Sequence, residues 1–381
     1  MKRKRIRYIG YYDIPKSTQN REFSPAATNF MTYLSSVIVE EGYDVEIVSM
    51  SPTLGKQPMF GNFVNLSQHL SLKTFFSIGS CNNICRRIDI HLLRLQMFLY
   101  LFFTMRKDDV VIVYHSLNYA RLFINLRKVL NFRFILQVCE IYQDVTSNIA
   151  KKLKIDEYSI FNKCDAYIFS NDLLRDKIDP EHRLESVIIY GIYKQNIPAK
   201  SSFNDHKIHV VYAGTLDINK GGAAAAAAAA AELDSRFHIH ILGFGGKKQI
   251  ETIQDIINNH HGDCELSYEG LLQGEEFISF MRKCDIGLST QIPNATFNDT
   301  SFPSKVLNYL SLGLKVVSVR MKALDVSKIS DELFYINSNE AKDIAKGVEI
   351  AADSISKSAT ILSDLDKSLH TNIRTFLSGI E

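Results

Sequence analysis

The chain has 381 residues, which is long enough for two domains of ordinary size. Its 46% of hydrophobic and 23% of charged residues are typical of a globular protein, and a net charge of only +2 gives no electrostatic argument for nucleic acid as a partner. The basic first residues run directly into a strand-like stretch, so we expect no secretory leader, and the six cysteines are scattered. We therefore expect a protein of the reducing cytoplasm with free thiols.

Strand and helix patterns alternate through the first half of the chain. The predicted strands are Arg5–Tyr12, Asp44–Met50, Asp109–Tyr114, Phe132–Val138, Ala166–Ser170 and Ser186–Tyr190. The predicted helices are Pro25–Glu41, Leu117–Leu130 and Ile149–Phe161. The polar segment Ser51–Gln68 is predicted to be a long loop. Such alternation is typical of a parallel sheet covered on both faces, which makes the first half an α/β domain.

The pattern breaks near Gln195–Asp205 and then starts again, so we place an interdomain linker there. The predicted strands of the second half are His209–Ala213, His238–Leu242, Glu265–Tyr268, Ile286–Thr290, Val316–Val319 and Leu333–Ile336. Its predicted helices are Gly222–Asp234, Lys247–Asn259, Gly274–Lys283, a short one that begins at Pro303, Glu340–Ala352 and a last one through about Phe376. We expect domains at residues 1–197 and 206–353, followed by a C-terminal helix in residues 354–381.

A basic and apolar stretch, Arg86–Lys107, has two interpretations. Its uncharged run Leu95–Met105 has only 11 residues, which is too short to span a bilayer. Basic residues stand at both ends, as in a helix that lies on an anionic membrane surface. The alternative is a core helix with solvated ends.

The segment Ser301–Arg320 is predicted to be a loop, a short helix and a buried strand. Pro303 suits the first helical position, and Gly313 suits the end of the helix. The amino end of a helix leaves backbone N–H groups available, and Lys305 adds a positive charge beside them. The segment is therefore either a phosphate site or an ordinary αβ unit packed by its leucines.

Two glycine-containing loops of the second half also join a strand to a helix. Gly214–Gly222 contains Lys220, which is suited to a phosphate oxygen, and Gly243–Gly246 is nearly all glycine. Neither is a Walker motif, because the GKS or GKT ending is missing. Each loop alone also fits a solvated turn.

Four stretches of the second half, in this order, resemble the motifs of one enzyme superfamily. They read VVYAGTLDINKGG, HIHILGFGG, LSYEGLL with MRKCDIGLST, and FPSKVLNYLSLGLKVV. They are similar to the donor-binding domain of nucleotide-sugar glycosyltransferases with the GT-B fold. The resemblance is closest to bacterial polysaccharide enzymes related to glycosyltransferase family 4, including the galactofuranosyltransferase-like branch. It covers most of Val210–Val319, whereas the first half matches in layout only.

This resemblance implies an α/β chain with two Rossmann-like domains facing a central cleft, and a last helix that packs back on the first domain. It implies transfer of a sugar from a nucleoside-diphosphate sugar, expected to be a UDP-sugar, to a glycan or lipid-linked acceptor in bacterial surface polysaccharide synthesis. The second domain is expected to bind the donor and the first the acceptor. A lipid-linked acceptor also fits peripheral contact of Arg86–Lys107 with the inner face of the plasma membrane.

The donor-binding residues implied by the resemblance lie in the glycine loops, at one strand end and around the signature loop. They are Gly214, Thr215, Lys220, Gly243, Gly245, Glu269, Gly270, Thr300, Ser301, Phe302, Pro303, Ser304, Lys305 and Asn308. Family 4 usually has glutamates where this chain has Thr300 and Asn308, and an arginine where it has Thr215. Asn308 keeps a hydrogen-bonding group for the donor ribose, but Thr300 offers no carboxylate. Lys220 and Lys305 are then expected to bind the diphosphate.

An inverting transfer needs a general base that removes the proton of the acceptor hydroxyl. The candidates follow strands of the first half and are Asp13, His115 and Glu140. A histidine such as His115 can serve as a base near neutral pH, and Glu140 follows an apolar strand, so it should face a cleft or a partner. The alternatives are a hydrogen-bonded structural histidine and, for Asp13, a cap on the loop Ser17–Arg21. His115 and Glu140 rank level, and Asp13 ranks below them.

Neither a metal site nor a cofactor is predicted. The sequence has no DxD pair at a strand end, and His260, His261 and Cys264 lie in a polar turn without a fourth ligand. Lysines and helix amino ends are expected to neutralise the diphosphate.

Two rival functions remain open from the sequence. A nucleotide-sugar epimerase on the same fold would change its donor without an acceptor. A non-catalytic sugar-nucleotide-binding scaffold would bind a donor and transfer nothing, and the replacement of both glutamates favours it.

Overall fold

A computed structural model describes residues 3–14, 17, 19–106, 109–145, 151–194, 201–217, 222–293, 298, 300–355 and 358–380. Contacts along the chain divide it into two compact units. The first unit is Met1–Ile192 with Ser368–Glu381, and the second unit is Tyr193–Lys367.

The first unit is built on a sheet of eight strands. The strands are β1 (Arg5–Gly10), β2 (Asp44–Ser49), β3 (Phe63–Ser67), β4 (Leu70–Thr74), β5 (Val110–Tyr114), β6 (Arg133–Val138), β7 (Ala166–Phe169) and β8 (Glu185–Ile188). Their order is β3-β4-β2-β1-β5-β6-β7-β8, and only β3 pairs antiparallel. The helices are α1 (Pro25–Glu40), α2 (Asn83–Thr104), α3 (Leu117–Val129), α4 (Tyr142–Val145), α5 (Lys151–Phe161) and α6 (Asp172–Ile178).

The second unit has six parallel strands. They are β9 (Ile208–Thr215), β10 (Phe237–Phe244), β11 (Glu265–Gly270), β12 (Ile286–Ser289), β13 (Lys315–Val319) and β14 (Leu333–Ile336). Their order is β11-β10-β9-β12-β13-β14, the doubly wound order of a Rossmann sheet. The helices are α7 (Gly222–Ala228), α8 (Lys247–Asn258), α9 (Gly274–Met281), α10 (Ser304–Ser311), α11 (Lys322–Asp325) and α12 (Ala341–Asp353), and 3-10 turns cover Ala229–Glu232 and Ser330–Glu332.

The last helix, α13 (Ser358–Ile380), begins in the second unit and ends in the first. In the first unit its His370 and Arg374 lie against Glu41, just after α1. Arg374 Nε donates to Glu41 Oε2 over 2.6 Å, and His370 Nδ1 lies 2.8 Å from Oε1. Burial alone would raise the pKa of Glu41, but these hydrogen bonds hold it below its usual value.

Apolar residues on the sheet and on the inner helix faces form the cores. In the first unit Leu93, Met97 and Leu101 of α2 are fully buried against strand residues such as Val111 and Val113. In the second unit the alanines of α7 lie close on β9 and β10, and Ala226 and Ala227 are buried. A helix without large side chains can approach a sheet closely, so the alanines of α7 pack directly against these strands.

The prediction of alternating strands and helices is confirmed, with differences at the first sheet's edge. The predicted loop Ser51–Gln68 contains β3, and β4 follows it at once. Side chains of β3 alternate between exposed and half-buried, as expected for an edge strand with little apolar signal. The short helix α6 was also missing from the prediction. Within the described part of the chain, no helix combines the length and apolarity needed to cross a membrane.

Candidate functional site

The strand order of the second unit places its candidate site at the carboxyl ends of β9 and β12. These neighbours lie where the winding of the sheet reverses, because β10 and β11 extend to one side and β13 and β14 to the other. In open parallel sheets such a reversal leaves a crevice beyond the strand ends, where ligands bind. Gly214 and Thr215 end β9, and α10 follows β12 along the chain.

Two glycines let the backbone of β9 and β10 approach closely at this edge. Gly243 has a φ of +145°, and a Cβ there would lie 1.7 Å from the carbonyl oxygen of Gly214. A Cβ on Gly214 would lie 3.1 Å from Lys305 Nζ. Any side chain at Gly243 would therefore push the two strand ends apart.

Lys305 brings its ammonium group to the end of β9. Its Nζ lies 3.9 Å from the centre of the Tyr212 ring, as in a cation–π contact. The Tyr212 hydroxyl donates to the carbonyl of Thr215 over 3.1 Å, which holds the ring at the strand end. Strand β9 therefore orients Lys305, because Tyr212 and Gly214 of this strand both lie next to its ammonium group.

The helix α10 opens at the same edge. The sequence predicts Pro303 as its first residue, but the structure makes Pro303 the N-cap and Ser304 the first helical residue. Proline has no side-chain acceptor for the first N–H groups of the helix, so Ser304 and Lys305 open it without the usual cap. Phe302 and Thr300 are buried, whereas Asn308 is exposed.

A buried tyrosine fixes α10 to the sheet. Tyr309 Oη accepts from the N–H of Ala213 over 2.8 Å and donates to the carbonyl of Leu288 at 3.3 Å. Its ring lies over Gly287, where a Cβ would be 2.4 Å from a ring atom. The position of Lys305 is thus set by rigid contacts with β9 and β12.

The second glycine loop is tied to the first. Leu216 N donates to Phe244 O over 2.9 Å, and Gln249 Oε1 accepts from Gly246 N over 2.7 Å at the start of α8. A Cβ on Gly245 would lie 2.7 Å from the same Gln249 oxygen. Lys220, predicted to bind the diphosphate, lies outside the described residues.

Glu269, another predicted donor residue, points to the sheet face. Its Oε1 lies 2.8 Å from His240 Nδ1 and accepts from Ser267 Oγ. The hydrogen bond from His240 is the main reason why the pKa of Glu269 is lowered. The next residue, Gly270, has a φ of +73°, which favours glycine.

In the first unit the predicted bases follow neighbouring strands β1, β5 and β6. Asp13 is 4% exposed, and its oxygens accept from the N–H groups of Ile14 (2.8 Å) and Arg21 (3.2 Å). This carboxylate closes the turn before Arg21, so Asp13 acts as a cap on the loop that ends at Arg21.

His115 belongs to a buried pair. Its Nε2 lies 2.9 Å from Glu157 Oε1, and the two side chains are 2% and 0% exposed. Glu157 also accepts from Tyr142 N (2.8 Å) and Gln143 N (3.3 Å). Burial alone would raise the pKa of Glu157, but these hydrogen bonds, first of all from His115, lower it.

Glu140 lies just before the turn at Tyr142 and Gln143, whose N–H groups donate to Glu157. It is half-buried, two residues beyond β6 and two before α4. Because Glu157 holds Tyr142 and Gln143, the His115–Glu157 pair fixes the segment that carries Glu140. The sequence predicts His115 and Glu140 as alternatives, and the structure relates them through Glu157, which sequence reasoning missed.

Comparisons with solved structures show the same fold over nearly the whole chain. A trehalose-6-phosphate structure from E. coli with UDP-2-fluoro glucose bound is 11% identical, with a TM-score of 0.68 over 99% of this chain and 98% of that one. A sucrose-phosphate synthase from Thermosynechococcus elongatus is 14% identical, with a TM-score of 0.66 over 99% and 95%. An α,α-trehalose 6-phosphate synthase from Burkholderia multivorans is 10% identical, with a TM-score of 0.64 over 100% and 96%.

No family model and no curated protein sequence matches the chain. At 10 to 14% identity, the structural likeness is one of fold. The prediction of two Rossmann-like α/β domains of the GT-B type is confirmed by the two doubly wound sheets and by these structures. The chain therefore has the GT-B fold.

Proposed function

We propose that the protein is a glycosyltransferase that moves a sugar from a nucleoside-diphosphate sugar, a UDP-sugar, to a glycan or lipid-linked acceptor. The observation that carries the proposal is the position of Lys305. Its ammonium group lies against Tyr212 and Gly214 at the reversal of the second sheet, beside the opening of α10. A fixed cation, a helix amino end and glycine-lined backbone together favour a diphosphate.

The second unit binds the donor and stabilises its leaving group. Lys305 and the first N–H groups of α10 meet the diphosphate as the bond to the anomeric carbon breaks and negative charge develops. Gly214 leaves room for the ammonium group of Lys305, which meets the phosphates, and Gly243 lets β9 and β10 approach closely beneath it. Asn308, exposed one turn further along α10, hydrogen-bonds the ribose.

The first unit supplies the base, and Glu140 is the best candidate among the three predicted residues. The carboxylate of Asp13 is engaged by two backbone N–H groups, and His115 is buried beneath the turn. Glu140 takes the proton of the acceptor hydroxyl, and the resulting oxygen attacks the anomeric carbon as the diphosphate departs. This displacement inverts the anomeric centre. His115 and Glu157 position Glu140 through the turn at Tyr142.

The acceptor is a lipid-linked glycan of a bacterial surface polysaccharide, which the protein meets at the inner face of the plasma membrane. The outer face of α2 supports this part of the proposal. Its exposed apolar residues recur every three to four positions or in multiples of that spacing, so they lie along one stripe. They are Ile84, Ile88, Leu95, Leu99, Phe102 and Phe103.

This outer stripe of α2 has the features of a helix that lies in a membrane interface. Phe103 is 77% exposed and Ile84 is 69% exposed, although burial of such side chains is strongly favoured. Exposed Arg87 and Arg106 stand near the ends of the helix, where anionic lipid headgroups would meet them. The opposite face, with Leu93 and Met97, packs into the core.

Vesicle binding tests the membrane contact. The protein is expected to sediment with phosphatidylglycerol vesicles and much less with phosphatidylcholine vesicles. Replacing both Leu99 and Phe103 by serine should abolish sedimentation, while Leu54→Ser, at an exposed leucine outside α2, should leave it unchanged. Equal binding of all three proteins would contradict the role of α2.

Turnover tests the transferase. The protein is incubated with UDP- and GDP-sugars, with and without lipid-linked glycan acceptors, and released nucleoside diphosphate and new glycan are measured. We expect release that depends on acceptor, and a loss of about 100-fold or more in Glu140→Gln with donor binding unchanged. An altered sugar without acceptor would favour the epimerase.

A scaffold that binds sugar nucleotides without transfer is the second candidate. The observation in its favour is that Thr300, at one of the two expected glutamate positions, is a buried hydroxyl residue, and that Asn308 is neutral. Donor binding without transfer to any glycan would support this function over the transferase.

A further inference from the structure

Three histidines lie together on one face of the second sheet. His209 stands near the start of β9, and His238 and His240 lie on β10. The parallel register places His238 beside His209, and residues two apart on a strand share a face. His209 and His240 are each 2% exposed, and His238 is partly buried.

The three rings are close enough to share one ion. One ligand atom of each lies within 4.8 Å of the others. His209 Nδ1 and His240 Nε2 are 2.8 Å apart, and the ring centres of His238 and His240 are 3.9 Å apart. Nitrogen ligands of a tetrahedral Zn²⁺, with bonds of about 2.0–2.1 Å, stand roughly 3.3 Å apart. Small rotations of the rings therefore suffice to surround a metal.

The hydrogen bonds around His209 and His240 leave one nitrogen of each ring facing the other. Asp205 Oδ1 lies 2.9 Å from His209 Nε2, and Glu269 Oε1 lies 2.8 Å from His240 Nδ1. Because carboxylates accept only, these two ring nitrogens must both carry hydrogen. The facing nitrogens, His209 Nδ1 and His240 Nε2, are then two lone pairs 2.8 Å apart in neutral rings. Either a proton shared by the two nitrogens or a metal ion between them removes this conflict.

The third histidine also has a carboxylate beside one ring nitrogen. His238 Nδ1 lies 3.2 Å from Glu265 Oε2, whereas its Nε2 lies 2.8 Å from Ser267 Oγ and would bind an ion in place of this hydroxyl contact. All three histidines thus have a carboxylate on one ring nitrogen. Metal-binding histidines in proteins are oriented in this way, since the carboxylate fixes the tautomer and makes the ligating nitrogen more basic.

We propose that His209, His238 and His240 bind one divalent transition-metal ion in the second unit, with Zn²⁺ as the best chemical match and a water molecule in the fourth position. Three imidazole nitrogens suit Zn²⁺ rather than Mg²⁺ or Ca²⁺, which prefer oxygen. The proposal departs from the sequence analysis, which predicts no metal.

The surroundings favour a structural role over a catalytic one. The ring of Phe203 stacks on His209 at 4.0 Å, and Phe280 meets His240 edge-on at 5.1 Å. These aromatic rings cover the histidines and limit access for a substrate. The ion would join β9 and β10 and, through Asp205, hold the segment that precedes β9.

Metal binding is measured on the full-length chain, produced without a polyhistidine tag and stripped with a chelator. We expect about one equivalent of Zn²⁺ in calorimetry and a rise in melting temperature. Co²⁺, used as a spectroscopic probe, should give the intense visible absorption of a tetrahedral site. A folded protein that takes up no stoichiometric Zn²⁺ would overturn the proposal.

The Zn²⁺ affinity of single-residue variants tests where the ion binds. His238→Ala, at the least buried of the three ligands, should weaken Zn²⁺ binding by about 100-fold, and Asp205→Asn, at an exposed carboxylate, by roughly 10-fold. His261→Ala, an exposed histidine of the same unit, is the matched control and should bind as the parent does. Circular dichroism checks folding, and Asp205→Asn decides the question if His238→Ala does not fold. Equal affinity in Asp205→Asn, His261→Ala and the parent would place the metal elsewhere and overturn the proposal.

Discussion

The two sheets are both doubly wound, but the residues at their carboxyl ends differ in chemistry. In the second unit Gly214 and Gly243 lie near the ends of β9 and β10, and the cation Lys305 lies against Gly214. In the first unit the strand ends are followed by Asp13, His115 and Glu140. A doubly wound sheet therefore provides the place for a ligand, while the residues after each strand decide whether that place suits an anion or a proton transfer.

The two ends also differ in what keeps them in place. The second depends on close backbone contact, which only glycine at position 243 allows. The first depends on a buried hydrogen-bonded pair, His115 with Glu157, beneath a short turn. Substitutions at the two ends should therefore destabilise the protein for different reasons: a steric clash in the second unit and a lost hydrogen-bonded pair in the first.

The largest expected effect is that of Gly243→Ala. The new Cβ would meet the Gly214 carbonyl at 1.7 Å, and a φ of +145° strains any other residue. We expect a loss of roughly 3 kcal/mol or more in the free energy of unfolding, measured by urea denaturation.

Gly379→Ala is the matched control for this prediction. Gly379 lies on α13 with open space around its Cβ position. There, alanine should stabilise the protein by up to about 1 kcal/mol because it favours the helix. If Gly243→Ala were equally well tolerated, the close approach of β9 and β10 would not be needed.

The second prediction concerns the buried pair. Glu157→Gln keeps the shape but removes the charge that accepts from His115 and from Tyr142 N. We expect a loss of about 2 kcal/mol in the free energy of unfolding. Glu185→Gln, an exposed carboxylate of the same unit, should change it by less than about 0.5 kcal/mol.

The same pair predicts a pH dependence. The pKa of Glu157 is lowered from its ordinary 4.5, so its contribution to stability is complete above the unfolded-state pKa and is lost as the pH falls through the folded-state pKa. The difference between parent and Glu157→Gln should therefore be constant at neutral pH and shrink below about pH 4.5. If the stability difference between the parent and Glu157→Gln increased at acidic pH, the pKa of Glu157 would be raised in the folded state and not lowered.

The smallest expected effect concerns donor binding by Asn308 in the second unit. Asn308→Glu introduces the carboxylate that the resemblance to family 4 implies at this position. One stronger hydrogen bond to the ribose should improve nucleotide-sugar affinity by about fivefold in calorimetry. Asn308→Gln has the same length without the charge and should give no improvement. A glutamate that weakened binding would place the ribose elsewhere.

Much of the fold follows from local sequence. Runs such as Val110–Val113 and Val316–Val319 are buried strands, and the interruption near Gln195 lies close to the division at Tyr193. The antiparallel edge strand β3 was predicted to be a loop, because its few apolar residues alternate with polar ones at an exposed edge. An edge strand is defined by its partner, and the partner is not visible in local composition.

The candidate site could be predicted only in part, because its geometry depends on distant residues. Lys305 beside a helix amino end is visible in the sequence, but its contact with Tyr212 is not. Glu157 was missed because it lies 42 residues from His115. The histidines at 238 and 240 did leave a signal, since polar residues at alternate positions of a buried strand need partners.

The binding of nucleotide-sugars to the parent and to Lys305→Ala tests the central claim most directly. In a thermal-shift screen of UDP- and GDP-sugars, one donor should raise the melting temperature of the parent and of the control Lys346→Ala, an exposed lysine on α12. Lys305→Ala should lose the response, since removal of one charge-assisted contact weakens binding by roughly 10- to 100-fold. A parent that no nucleotide-sugar stabilises, or a Lys305→Ala variant that responds like the parent, would contradict the account.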